Sequence, residues 1–250
     1  MTGKKTATDV EPLGPALCLA SGTLAHLAQA AVTRSSVDAA EALVAVVFSV
    51  AAVDAFCAEA VGVCWSLYPG DKPPVAGEVL YELAALGRPI KKGKRKGQVP
   101  DIDARHLRRV IAGKPPNPEL PVWLNHFALC ELRNEIAHLQ PRRYARRGEA
   151  HEQRLRPALR RLAEVGVIRR GPGEKADAQF SQLAHVENAE VAVWAYETER
   201  AVLVDLVDRM PEGGLREMLW VRSAWARPAE ENPPNMSRRS AVFVEFTKKS

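Results

Sequence analysis

Residues 128–141 read ALCELRNEIAHLQP, an apolar helical pattern that carries Arg133, Asn134 and His138 just before Pro141. Arginine is permanently charged and forked, which suits it to the oxygens of a phosphate or of a developing oxyanion. Histidine titrates near neutrality and can give or take a proton. Asn134 and His138 are four apart, so on a helix they are stacked neighbours and the amide can orient the imidazole. Taken singly, an arginine or histidine in a last turn serves the helix dipole. The set of three points further, to acid–base chemistry at an anionic substrate.

At about 100° per residue, Leu124, Ala128, Leu132, Ile136 and Leu139 gather on one side as the expected core stripe. Arg133, Cys130, Asn134 and His138 spread over the other half with Trp123 and Phe127. These aromatics are expected to be exposed, and exposed aromatics mark a partner surface. Arg133 and His138 stand roughly 140° apart on a regular helix and do not meet. Fraying before Pro141, or a second copy of the chain, would have to bring the two functions together.

Immediately beyond, PRRYARRGEAHEQRLRPALRR has eight arginines against two glutamates. Arg142, Arg143, Arg146 and Arg147 surround Tyr144, an aromatic on which a base can stack, which makes the segment a candidate RNA-binding arm. A second basic run, KKGKRKG, holds five cations in seven residues. A charge run of that kind most often simply solvates a surface loop.

The elements that would position these residues are helices. The first is expected from about Pro15 to Arg34. The second runs from an N-cap at Ser36 to about Trp65, and its middle is apolar on nearly every side. Its most apolar run, Ala42 to Val53, falls short of the roughly 20 residues that span a bilayer, so no membrane segment is expected. Two short helices, Glu78–Leu86 and Asp103–Ile111, sit in a Pro- and Gly-punctuated insertion over 69–118. The third long helix covers Pro121–Leu139. An Arg-rich linker at 140–185 contains an amphipathic helix, about His151 to Glu164. The fourth long helix is Asn188–Met210, with Val191, Trp194, Ala195, Ala201, Val202 and Leu206 inward. A short helix, Leu215–Trp225, precedes a Pro-rich tail whose AVFVEF has strand character.

The expected fold is therefore all-α, a bundle of four long helices in one domain over residues 15–225. Residues 1–14 read as a disordered N-terminus and 226–250 as a polar tail. Scarce aromatics and abundant Ala, Val, Leu and Arg agree with helices. A net charge of +5 is only mildly basic, so the local runs matter more than the total. The four cysteines form no CxxC pair and no zinc spacing, which fits a reduced, cytoplasmic setting with no metal and no cofactor.

The segment LRNEIAH (132–138) resembles the R-N-x-x-x-H signature of the HEPN domain family, with Arg133, Asn134 and His138 at the matching positions. FSVAAVDAFCAEAV (48–61) is similar to the small-residue second helix of many members, and NAEVAVWAYETERAVLVDLVDRM (188–210) to their closing helix. The resemblance spans about 15–65 and 119–210; the long segments 69–118 and 140–185 depart from it. It implies an RNA-directed role, often as a metal-independent endoribonuclease of toxin–antitoxin, abortive-infection and other defence systems. It implies a homodimer with paired motifs facing each other, and an antitoxin or nucleotidyltransferase-like partner protein.

No Gly-rich phosphate loop, HExxH or G-x-S-x-G is present, which leaves NTPase, metalloprotease and hydrolase readings without residues. RPALRRLAEVGVIRR has the outline of a winged-helix segment, but GPGEKADAQF after it is poor in strand formers. Two readings remain: a dimeric endoribonuclease using Arg133 and His138, and a non-catalytic helical module that binds nucleic acid or a protein.

Overall fold

A computed structural model describes residues 20–67, 79–88, 101–137, 159–168, 186–212 and 216. All regular structure among them is helical. Helices α1 (Ala20–Arg34), α2 (Glu41–Leu67), α3 (Val79–Leu86), α4 (Ala104–Ala112), α5 (Pro121–Ala137) and α6 (Ala189–Asp208) follow in that order, with a further helical stretch at 159–164 between α5 and α6. The N-terminal segment, the KKGKRKG run, the arginine run at 142–156, the Leu215–Trp225 helix apart from Arg216, and the tail with AVFVEF lie outside the described residues.

Helix α2 is central because it has no polar face to give to water. Its sequence is mostly Ala and Val with scattered larger side chains, and α1, α3, α4, α5 and α6 all pack on it. The helix continues past the apolar run Ala42–Val53 through Asp54 and Glu59 to Leu67, close to the end expected near Trp65. Glu41–Ser66 is long and apolar enough, by length and composition, to cross a membrane, and more than half of its most apolar stretch is buried against the other helices.

The ends of the helices show how they run. Ser21 at the start of α1 donates from its backbone N–H to Glu59 near the end of α2 (3.1 Å), while Arg34 at the end of α1 bonds Glu41 at the start of α2 (2.9 Å). α1 and α2 are therefore antiparallel. Asp54 of α2 meets Arg133 late in α5, and Trp123 early in α5 joins Phe56 and Val61 in one buried cluster. α5 thus opposes α2, and it also opposes α6, whose late residues Val202 and Leu206 share that cluster. Val46 and Val50 early in α2 form a second cluster with Leu129 and Leu132 of α5, Leu162, and Val191 and Trp194 of α6.

Three expectations are corrected. Ser36 does not cap α2: its hydroxyl donates to the Thr33 carbonyl (3.0 Å) and closes α1, while Asp38 accepts from the Ala40 N–H (3.0 Å) in the turn that starts α2. Serine's short side chain bonds its own local backbone more readily than a helix five residues on. The stretch 69–118 is not merely an insertion outside the core, because Leu83 and Ala84 of α3 and Ala104, Leu107 and Ile111 of α4 are buried in the cluster with Trp123. Ala201 of α6 is only half-buried; Thr198 and Glu199 take its expected place inside.

α4 is short, so its ends matter. Asp103 is its N-cap and accepts from the His106 N–H (2.9 Å), and Gly113 stops it at φ 69°, where a side chain would be strained. Its inward Arg108 pairs with Asp205 of α6 (2.9 Å), tying α4 across the bundle. Burial pushes the Asp103 carboxyl up, but the His106 N–H and the Arg105 charge outweigh it and hold the group below its ordinary value. Asp103→Ala should destabilise the protein by about 1 kcal/mol, and Asp103→Asn by less, because asparagine also caps. A carboxyl with a lowered folded value adds stability above its unfolded value and loses it as pH falls through the folded one. The gap between wild type and Asp103→Asn should therefore close on acidification, and an unchanged urea midpoint for Asp103→Ala at neutral pH would exclude the cap.

Candidate functional site

The inner face of α5 carries an unusual amount of polarity. Trp123, Asn125, His126, Ala128, Leu129 and Leu132 are its buried residues. Trp123 is fully buried and Phe127 packs half-buried against the same cluster, so neither offers the exposed partner surface expected of them. The helical wheel set the two opposite the core stripe, and that is corrected: α2 and α6 cover their side of α5. Leu124, placed in the core stripe by the same wheel, is only half-buried.

Of the residues in the sequence motif, Arg133 and Asn134 are described. Arg133 is half-buried, and its Nη2 donates to Asp54 Oδ2 of α2 at 3.1 Å. The two side chains remain 30% and 37% exposed, so the contact holds the guanidinium in place more than it stabilises the fold. Burial raises the Asp54 carboxyl above its ordinary value, against the pull of Arg133. Asn134, one residue on, is exposed. His138 and the arm residues Arg142, Arg143, Tyr144, Arg146 and Arg147 lie outside the described residues.

Deeper in, and not anticipated from the sequence, is a second polar group. His126 Nδ1 lies 3.0 and 2.9 Å from the two carboxylate oxygens of Glu199 on α6. Glu199 is fully buried and His126 is 3% exposed. Cys130, one turn after His126, places Sγ 3.9 Å from Nδ1 and 3.6 Å from Nε2. Trp123 meets the imidazole edge-on, with ring centroids 5.6 Å apart, and Phe127 covers it at 5.8 Å.

Burial alone would push His126 down, but the Glu199 carboxylate, with help from Cys130, holds its value well above the ordinary one. Burial likewise raises Cys130, with His126 opposing. Cys57 is raised well above an ordinary thiol by burial and neighbouring carboxylates, and Cys64 is pushed up to about 12 by burial. These two thiols are protonated and unreactive at neutral pH. Glu59 of α2 accepts two hydrogen bonds from Ser21 at the start of α1.

The sequence signal for the deeper group was present but faint. His126 and Cys130 have the i, i+4 spacing that stacks side chains, and Glu199 falls at helical spacing with the apolar Ala195, Val202 and Leu206. Compared with family models, curated proteins and solved structures, the chain matches none.

The His126–Glu199 pair costs both partners their hydration, so removing one strands the other. Glu199→Leu or His126→Leu alone should destabilise by about 3–5 kcal/mol, and the double replacement by clearly less than the sum. Urea unfolding of the four proteins measures this; additive losses would show that the two side chains do not depend on each other.

Proposed function

We propose that the chain is an RNA-directed, HEPN-like protein that cleaves RNA without a metal, using Arg133 and His138. The observation that carries this reading is the Arg133–Asp54 contact. Asp54 takes one terminal nitrogen and holds the arginine at the rim of the bundle, where a phosphate can reach it. An arginine held in advance stabilises the charge of a phosphorane without reorganising at the moment of reaction. Asn134 is exposed beside it, and the chain passes from Ala137 directly to His138.

His126 is unsuited to this role, since it is buried beneath Trp123 and Phe127 and bonded to Glu199. His138 takes the proton of the 2′-OH or supplies one to the leaving 5′-oxygen. One histidine cannot perform both steps at once. Two copies of the chain, apposed along the exposed edge of α5 that carries Glu131, Asn134 and Ala137, would supply the pair. With Trp123 in the core, this dimer rests on polar contacts there, and Arg142, Arg143, Tyr144, Arg146 and Arg147 guide RNA toward it. The alternative is a helical module that binds nucleic acid or a protein through the same rim without cutting.

The untagged protein in metal-free buffer with EDTA should cleave single-stranded RNA to 2′,3′-cyclic phosphate ends. His138→Ala should abolish cleavage, and Arg133→Ala should lower kcat roughly 10²–10³-fold, both with unchanged helix content. Full activity of His138→Ala would refute the mechanism. RNA binding without cleavage by the wild type would favour the module.

A further inference from the structure

The polar group on α5 and α6, with His126 and Glu199 buried and Cys130 half-buried, has a chemistry that RNA cleavage does not use. His126 offers an imidazole nitrogen, Cys130 a thiol and Glu199 a carboxylate, and these ligand atoms all lie within 4.8 Å of one another. We propose that the three bind a divalent cation of the zinc type inside the bundle. The site is independent of the RNA reading and would stand if the chain cut no RNA.

The geometry is close to what such an ion needs. Zinc bonds to nitrogen, oxygen and sulfur of about 2.0–2.3 Å, in a tetrahedron, set ligand atoms roughly 3.3–3.6 Å apart. Nδ1 lies 3.9 Å from Sγ and as little as 2.9 Å from the carboxylate, and the whole set lies within 4.8 Å, so side-chain shifts of about an ångström bring the three onto one ion. The donors also come from suitable places. His126 and Cys130 stack one turn apart on α5, and Glu199 projects from the facing helix, as in metal sites of other helical bundles.

Charge balance agrees. A neutral imidazole, a thiolate and a carboxylate carry two negative charges, which a divalent cation cancels inside the core. On binding, the proton between His126 and Glu199 and the Cys130 thiol proton leave for solvent, and no electron moves. The mixed nitrogen, sulfur and oxygen set suits zinc better than magnesium or calcium, which take oxygen. Trp123 and Phe127 pack around the imidazole and fix its orientation.

The test uses the full chain without a histidine tag. Mass spectrometric metal analysis should find close to one zinc per chain. Cobalt added to metal-stripped protein should give the thiolate-to-cobalt absorption band, and Cys130→Ser should lose it. Glu199→Gln keeps an acceptor for the His126 N–H and so keeps the fold by circular dichroism, yet should weaken zinc binding by about 100-fold or more, since even supporting residues cost 10–100-fold. Wild type that takes up neither zinc nor cobalt overturns the proposal. So does a cobalt band that survives Cys130→Ser, or Glu199→Gln binding zinc as tightly as the wild type.

Discussion

Helix α2 cannot be stable alone in water, because nearly every face of it is apolar, and this constraint organises the rest of the bundle. At roughly 25 cal/mol per Å² of apolar surface, covering a helix of 27 residues outweighs any single polar contact in the structure. Small residues on α1 and α2 let those helices approach closely: Ala31 meets Ala42 and Ala45 in a buried cluster with Ala192 of α6. Larger side chains fill the rest, with Phe56 and Trp123 in one cluster and Leu129 and Leu132 in the other. α3 and α4 complete the cover over the second half of α2, which explains why a loop-rich stretch of sequence contributes core residues.

Because α5 closes on α2 and α6 from the opposite direction, its polar side chains are sorted by depth. His126 and Cys130 face Glu199 in the interior. Arg133, less than two turns after His126, reaches Asp54 at the rim. Asn134 faces out. One helix thus carries an interior polar group and a surface polar group, separated by packed apolar residues. The interior group carries a large desolvation cost and depends on complete pairing. The rim group is inexpensive to keep and open to a ligand.

That separation bears on function. A group meant to meet RNA must be reachable, which suits the end of α5 and excludes His126. A group meant to hold helices together must exclude water, which suits the His126, Cys130 and Glu199 set. Arg108 with Asp205 and Arg161 with Asn125 also join elements, each fixing a short helical segment to a long one across many residues of sequence.

Helix positions were legible in the sequence because they depend on local properties, apolar spacing and Pro121 at a helix start, whereas the one N-cap expected, Ser36, closes α1 instead. The all-α class and the burial of α2 followed from the same patterns. The Arg133 and Asn134 side of α5 could also be read from angles along one helix. Depth could not. Trp123 lies on the same half of α5 as Arg133, and only the approach of α2 and α6 decides that one is core and the other rim. His126 and Glu199 are 73 residues apart, and each alone resembles an ordinary surface residue of an amphipathic helix. Periodicity reports which residues share a face of one helix, whereas the pairing of faces between helices is settled by packing, and it was packing that made a buried site of His126, Cys130 and Glu199.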